Sequence, residues 1–321
     1  MTKAAVPILP DPVQGRFALG IDVGGTKIAG GIVDLHTGAV VARCQVPTLC
    51  QRGGQAVLAD TVDLARTLKA EADRLGLGLQ ALGVGVAELV DPAGRVFSDH
   101  RIKWKGVDVR AVLGRVLPTV VSADVRAAAL AEARFGAGRG LKDFYFVTIG
   151  TGVAGVLVLD GVPYAGSRGA ALVIANSMER HRCPACGHES RGMVEDVASG
   201  PGIAAAYGAA TAEDVLAAAR AGDGRALQVI DHATGALGRV LALLADSLDP
   251  QVMVIGGGLG CAPGPYFDAL TRAVRAGLWD GVDNPLTLTQ ARMGPDAGLI
   301  GAACAATQHQ TEPENRPLHT I

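Results

Sequence analysis

The chain has 321 residues, 49% hydrophobic and 4% aromatic, with a formal net charge of −2. Scarce aromatics and the lack of any basic block exclude a stacking platform for single strands and a polyanion-binding face, so neither nucleic acid nor an anionic membrane is expected as a partner. No apolar run reaches the roughly 18 residues of a membrane span, MTKAAVPILPDPVQG lacks the core of a signal peptide, and six cysteines in so long a chain do not suggest a secreted disulfide framework, which makes the cytoplasm the expected compartment.

Residues 1–16 read as a loose, proline-containing tail. Phe17, Leu19, Ile21 and Val23 alternate as in a strand, which breaks at Gly24-Gly25-Thr26-Lys27 and resumes as Ile28–Val33. A glycine turn with a hydroxyl, an ammonium and free N–H groups can hold phosphate oxygens, and Asp22 just before it is placed to act on a metal or its water shell; an ordinary Gly-Gly hairpin is the alternative. Helical spacing follows over Gln55–Leu75, a strand at Leu82–Val86, a helix over Gly106–Leu117, and an apolar step at Val120–Val121. Val125–Phe135 is an alanine-rich helix, and Asp124 before it suits an N-cap, with Ser122 as another candidate cap.

A second strand–turn–strand unit comprises Phe144–Ile149, Gly150-Thr151-Gly152 and Val153–Leu159. Two such units suggest two similar lobes facing one nucleotide. Arg180–Arg191 is an irregular Cys/His segment. Helices are expected over Gly202–Ala221 and Arg225–Leu248, then a strand at Val252–Ile255, the run Gly256-Gly257-Gly258 and further helix. The chain after about Gln308 reads as a second loose tail.

Taken in order, these elements resemble the ROK family of sugar kinases. LGIDVGGTKIAGGIVD is similar to its first phosphate loop, AAALAEARFGAGRG to the helix after its catalytic aspartate, VTIGTGVAGVLVLDGVPYAG to its second phosphate loop, DPQVMVIGGGL to its adenosine segment and GPDAGLIGAACAA to its C-terminal helix. The resemblance implies an α/β, two-lobed actin-like ATPase (ribonuclease H-like) fold, ATP with Mg2+, phosphoryl transfer to a hydroxyl in the interlobe cleft, and a homodimer. It implies a small lobe of residues 17–124 completed by a C-terminal helix at about 297–308, and a large lobe of 125–296. Asp22 would act near the metal; Gly24, Gly25, Thr26 and Lys27 would face the phosphates from one lobe, and Gly150, Thr151 and Gly152 from the other. Gly256, Gly257 and Gly258 would line the adenosine pocket, and Asp124 would be the catalytic base.

The acceptor side departs from the family. Ala123-Asp124 stands where Asn-Asp is common, Arg126 where a second asparagine lies, Ala87-Glu88 where Pro-Gly is common, and Leu172-Val173-Ile174-Ala175-Asn176 where Gly-Glu-Ile-Gly-His is common. The sugar-binding glutamate is matched by Glu195. Loss of a carboxylate, an amide and an imidazole removes partners for an ordinary glucose, each costing about 1–3 kcal/mol when a buried group is left unpaired. A retained donor side with an altered acceptor side points to a modified acceptor with a primary hydroxyl: a valiolone-type C7-cyclitol from a natural-product pathway, or a kanosamine-type amino sugar. Glu88 and Arg126 are the new polar groups near it, against the alternative of a solvated loop and helix face, with Ala123 and Glu195 completing the set.

The family's zinc site is matched only in part. Cys183 and Cys186, with His181 and His188 close by, make a Cys2His2 set for structural Zn2+, against a metal-free loop. Two other functions compete with the kinase. A ROK-type repressor needs a winged helix, for which the residues before Phe17 are too few; a non-catalytic sensor would not need Asp124.

Overall fold

The computed structural model describes residues 15–182, 189–279 and 286–308. In chain order the first half holds β1 (Phe17–Val23), β2 (Lys27–Asp34), β3 (Val40–Pro47), α1 (Gly54–Arg74), β4 (Leu79–Val86), α2 (Val109–Leu113), β5 (Thr119–Ala123) and α3 (Asp124–Phe135). The second holds β6 (Asp143–Ile149), β7 (Val153–Leu159), β8 (Val162–Pro163), β9 (Met178–Arg182), β10 (Glu189–Met193), α4 (Val194–Ala198), α5 (Gly200–Tyr207), α6 (Ala212–Arg220) and α7 (Gly224–Leu248). It ends with β11 (Val252–Gly256), α8 (Pro265–Gly277), β12 (Thr287–Gln290) and α9 (Ala297–Gln308).

The two five-stranded sheets repeat one topology. Their orders are β3-β2-β1-β4-β5 and β12-β11-β6-β7-β8. In each, the first strand makes an antiparallel hairpin with the second, and pairs on its other side with a parallel strand. The fold is thus α/β with two mixed sheets, as expected for the actin-like class.

The pleat of β1 decides what lies on each side of the first sheet. Leu19, Ile21 and Val23 enter a core with Val57, Leu64 and Leu68 of α1, each fully buried aliphatic contributing about 1.5–3 kcal/mol. The alternate positions, Ala18, Gly20 and Asp22, face α9. A Cβ on Gly20 would overlap the Leu299 carbonyl, one on Gly83 of β4 the Ala302 carbonyl, and one on Gly301 the Ala127 carbonyl of α3. The lack of side chains at these three points lets α9 lie backbone-to-backbone on β1, β4 and α3. α3 begins where the sequence places a lobe boundary, and its Leu130 and Ala131 join the cluster of α9 with the first sheet.

Several elements differ from the sequence expectation. The helix expected over Gly106–Leu117 is only α2, started by Asp108, whose Oδ1 accepts the Ala111 N–H at 2.9 Å. The helix expected over Gly202–Ala221 is two. Gly208, at φ 84°, closes α5, and reciprocal bonds between Thr211 and Asp214 start α6. β3 and β12 were not anticipated; each is the edge strand of its sheet, and β12 spans only 4 residues. The flanks of the Cys/His segment, β9 and β10, pair as antiparallel strands.

Gly83→Ala is expected to lower stability by about 3 kcal/mol, because backbone cannot yield as a side chain can. Gly78→Ala, with nothing within 4 Å of the added carbon, is the matched control. Equal denaturation midpoints for the two variants would contradict this packing.

Candidate functional site

Register places the acids. Asp22 ends the α9-facing row of β1 and pairs with Gly85 of β4; Gly85 pairs in turn with Ser122 of β5, one step before the buried Ala123 and then Asp124. The site thus lies at the carboxyl ends of parallel strands, where open α/β sheets bind ligands. A Cβ on Gly85 would stand 3.5 Å from the Asp124 Cα and 3.7 Å from Asp22 Oδ1, and one on Gly298 at the start of α9 would stand 2.5 Å from Asp22 Oδ2. Glycine at 85 and 298 therefore lets both acids sit at one corner.

Burial pushes Asp22 up to about 7, the Asp124 charge adding to the rise and Lys27 opposing it. Burial also raises Asp124, to about 6, against the pull of the Val125 N–H and Arg126, with Glu88 adding to the rise. The folded protein keeps protons on these carboxyls that the unfolded chain releases near pH 3.8, so the pair costs stability progressively as pH rises from about 4 to about 7. Ala123, not Asp124 or Ser122, occupies the N-cap of α3, and it offers no side-chain bond. Asp124 is the first helical residue. Its Oδ1 accepts the Val125 N–H at 2.7 Å, and its own backbone N–H also steadies the carboxylate. Asp22 accepts no side-chain hydrogen bond from the described residues.

The first glycine turn is held from behind. Gly24 N–H donates to the Lys27 carbonyl at 3.0 Å, and the buried Thr48 donates from Oγ1 to the Gly24 carbonyl at 2.6 Å and from N to the Thr26 carbonyl at 3.0 Å. Thr26 and Lys27 point to solvent. In the second sheet, Gly150 N–H donates to the Gly152 carbonyl at 2.9 Å. Glu195 accepts the Val153 N–H at 2.8 Å through Oε2 and lies against Gly152, while Thr151 is exposed. Gly257, at φ 83°, lies on Ile149 at the end of β6, and a Cβ on Gly150 would stand 3.7 Å from the Gly258 N. The glycine runs Gly150–Gly152 and Gly256–Gly258 are thus brought together, and Gly256 packs on Phe146 beneath them.

Glu88 and Arg126 are both buried, so the solvated alternative fails for each. Neither carries a free polar group. The Glu88 carboxylate accepts the Ser98 hydroxyl and the N–H groups of His100, Arg101 and Ile102 at 3.0, 2.6 and 2.8 Å. Burial raises its proton affinity, but these four donors outweigh it and hold Glu88 below the usual carboxylate range. Arg126 donates to the Gly169 carbonyl at 3.0 Å and the Val90 carbonyl at 2.7 Å, clamping a loop of each half together. Burial lowers its proton affinity, with Asp124 and Asp91 opposing. Both residues shape the site's walls. In the segment after β8, Leu172, Ile174 and Ala175 are buried while Val173 is exposed, 43% of its surface open.

Cys183, Cys186 and His188 lie outside the described residues, and of His181 only the backbone, in β9, is described. Among the described residues no group of three or more His, Cys, Asp or Glu side chains is gathered for a metal, and no helix is long and apolar enough to cross a membrane. Sequence reading missed Thr48, Ser98 and Arg101, which lie in loops without periodicity; the alternation Gly83-Val84-Gly85 was the available sign of the close helix approach.

The sequence profile of the ROK family matches residues 18–309. The chain belongs to the ROK family. A glucokinase of Halalkalibacterium halodurans is 31% identical, over 94% of this chain and 98% of that protein. An N-acetylmannosamine kinase of Salmonella heidelberg is 32% identical, over 90% of this chain and 97% of its own length. The crystal structure of a ROK family glucokinase from Streptomyces griseus, in complex with glucose and AMPPNP, superposes with a TM-score of 0.76 at 28% identity, covering 91% of this chain and 99% of that one. These ROK relatives are carbohydrate kinases.

Glu88→Ala would leave three backbone N–H groups and a hydroxyl without their acceptor. It is expected to cost about 2–4 kcal/mol in urea denaturation, whereas Arg95→Ala, removing an exposed partner of Asp91, should cost about 0.5 kcal/mol or less. Similar losses for both would contradict the loop-organising role of Glu88.

Proposed function

We propose that the protein is an ATP-dependent kinase that phosphorylates a primary hydroxyl of a sugar-like polyol. The observation that carries this reading is the shared corner of Asp22 and Asp124, set beside a glycine turn of the kind that holds phosphates. A half-buried carboxyl with no hydrogen-bond donor among the described residues, Asp22, fits a divalent cation or its water shell. Gly150–Gly152 and Gly256–Gly258, lying against each other, fit the close approach of a nucleotide. Bound Mg·ATP supplies the electrophilic phosphorus and offsets phosphate charge.

The chain's residues do the rest. Asp124 holds the acceptor hydroxyl at Oδ2 while Val125 N–H fixes Oδ1, and it takes the hydroxyl proton as the new O–P bond forms and ADP leaves. Its raised proton affinity suits that transfer near neutral pH. Thr26, Lys27 and Thr151 contact phosphate oxygens from the two sheets. The lobes divide near residue 124, with α9 returning to the first.

For the acceptor, we favour a C7-cyclitol of the valiolone type or another modified sugar over plain glucose. The support is chemical. Val173 exposes an apolar side chain where a family carboxylate is common, and the polar groups of Glu88 and Arg126 are consumed by backbone, so neither replaces it. An amino sugar is the second reading, supported by the N-acetylmannosamine kinases at 32% identity.

The test is ADP release with glucose, N-acetylmannosamine, kanosamine and a valiolone-type cyclitol. Turnover is expected with a modified acceptor well above that with glucose. Asp124→Asn should lower kcat by about 10²–10⁴-fold with little change in nucleotide affinity. Undiminished turnover in Asp124→Asn would remove the base assignment, and nucleotide binding without turnover of any acceptor would favour a sensor.

A further inference from the structure

Arg101 is absent from every role assigned so far, yet its surroundings are built. The loop after β4 folds back because the buried Glu88 carboxylate takes three successive N–H groups, those of His100, Arg101 and Ile102. Ile102 and Trp104 are buried beside it, and the Trp104 indole N–H donates to the Gly54 carbonyl at 2.9 Å. The backbone at Arg101 is thus fixed from both sides, while its side chain is exposed.

That side chain lies across the first glycine turn. A Cβ on Gly25 would stand 3.3 Å from Arg101 Cδ and 3.8 Å from its Nη1. Among the described residues the guanidinium has no hydrogen bond and no ion pair. The turn beneath it is polarised. The carbonyls of Gly24, Gly25, Thr26 and Lys27 accept from Thr48 Oγ1, Cys50 Sγ, Thr48 N and Gly24 N. The N–H groups of Gly25 and Thr26, by contrast, donate to no described protein group. Acceptors turned inward, donors left free, and an unpaired fork of N–H groups laid over them describe a receptor for a multiply charged oxyanion. Lys27, whose charge Asp22 feels, adds a second cation at the same turn.

We propose that Arg101 binds the oxygens of the transferring phosphoryl group at the Gly24–Lys27 turn, with Glu88 as the positioning residue that holds Arg101 there. This rests on the kinase reading above. In phosphoryl transfer, charge develops on the equatorial oxygens, and a planar guanidinium pairs with two of them at once, which a lysine ammonium does not. Arg101 lies against the donor turn on the loop of Glu88, whose charge Asp124 feels.

The test compares binding of Mg·ADP with that of Mg·ADP plus beryllium fluoride, a stand-in for the transferring phosphoryl group, by calorimetry on the full chain. Arg101→Ala is expected to weaken the beryllium fluoride complex about tenfold or more while Mg·ADP alone changes less than about twofold. Arg101→Lys should recover only part of the loss. Lys105→Ala, which removes the same charge from an exposed neighbour, should match wild type. Wild-type affinity of Arg101→Ala for both ligands, an equal loss for both, or the same loss in Lys105→Ala would overturn the proposal and leave the kinase reading standing. Wild-type protein that binds neither ligand would overturn both.

Discussion

The contact on which the rest depends is the backbone-to-backbone seat of α9 against β1, β4 and α3. Gly20, Gly83 and Gly301 remove the side chains that would hold these elements a layer apart. An α-helix ordinarily stands about 10 Å from the sheet or helix it packs on, spaced by side chains. Here the spacing collapses, and the chain's last described helix closes onto its first strand. Because β1 alternates, the row that admits α9 at Ala18 and Gly20 also presents Asp22, and it presents it at the point where α9 begins. The placement of Asp22 is thus a consequence of packing two residues upstream.

The same seat brings α3 into the corner. With Gly301 on the Ala127 carbonyl, the first turn of α3 is drawn towards β4, and Asp124 comes to lie beside Gly85 and Asp22. With the two half-buried carboxyls at one corner, the charge of Asp124 adds to the proton affinity of Asp22, which favours a proton or a cation between them. Around the corner, two buried charges do mechanical work. Glu88 folds one loop against the first glycine turn, and Arg126 ties that loop's base to the loop after β8 in the other half. Glu132 repeats the device on the far side, where its carboxylate accepts the N–H groups of Ala137, Arg292 and Met293 at 2.7 to 2.9 Å and binds the end of α3 to the approach to α9.

Much of this was legible in the residue pattern. The alternation of β1 and its glycine turn, the alanine-rich α3 and the glycine run after β11 carried both the fold class and the family. The pairing of the two hairpins predicted the repeated topology. What was hidden is long-range. Nothing local marks Glu88 and Arg126 as buried with partners, because a lone charge in apolar sequence ordinarily turns to solvent and their partners are backbone groups of distant loops. The break between α5 and α6 was missed because alanine-rich sequence continues on either side of Gly208, and only the positive φ there and the cap at Thr211 end the helix. Arg101 lies in a loop with no period at all, and its place beside Gly25 follows only from the fold of the Glu88 loop.

The most direct measurement is a carbon-13 NMR titration of the aspartate carboxyls in nucleotide-free, metal-free protein, with Asp22→Asn and Asp124→Asn used to assign the two signals. If the corner is desolvated by the α9 seat, the midpoints fall at about 7 for Asp22 and about 6 for Asp124. Two midpoints near the ordinary aspartate value of 3.8 would mean that water reaches both groups freely, and would contradict the account.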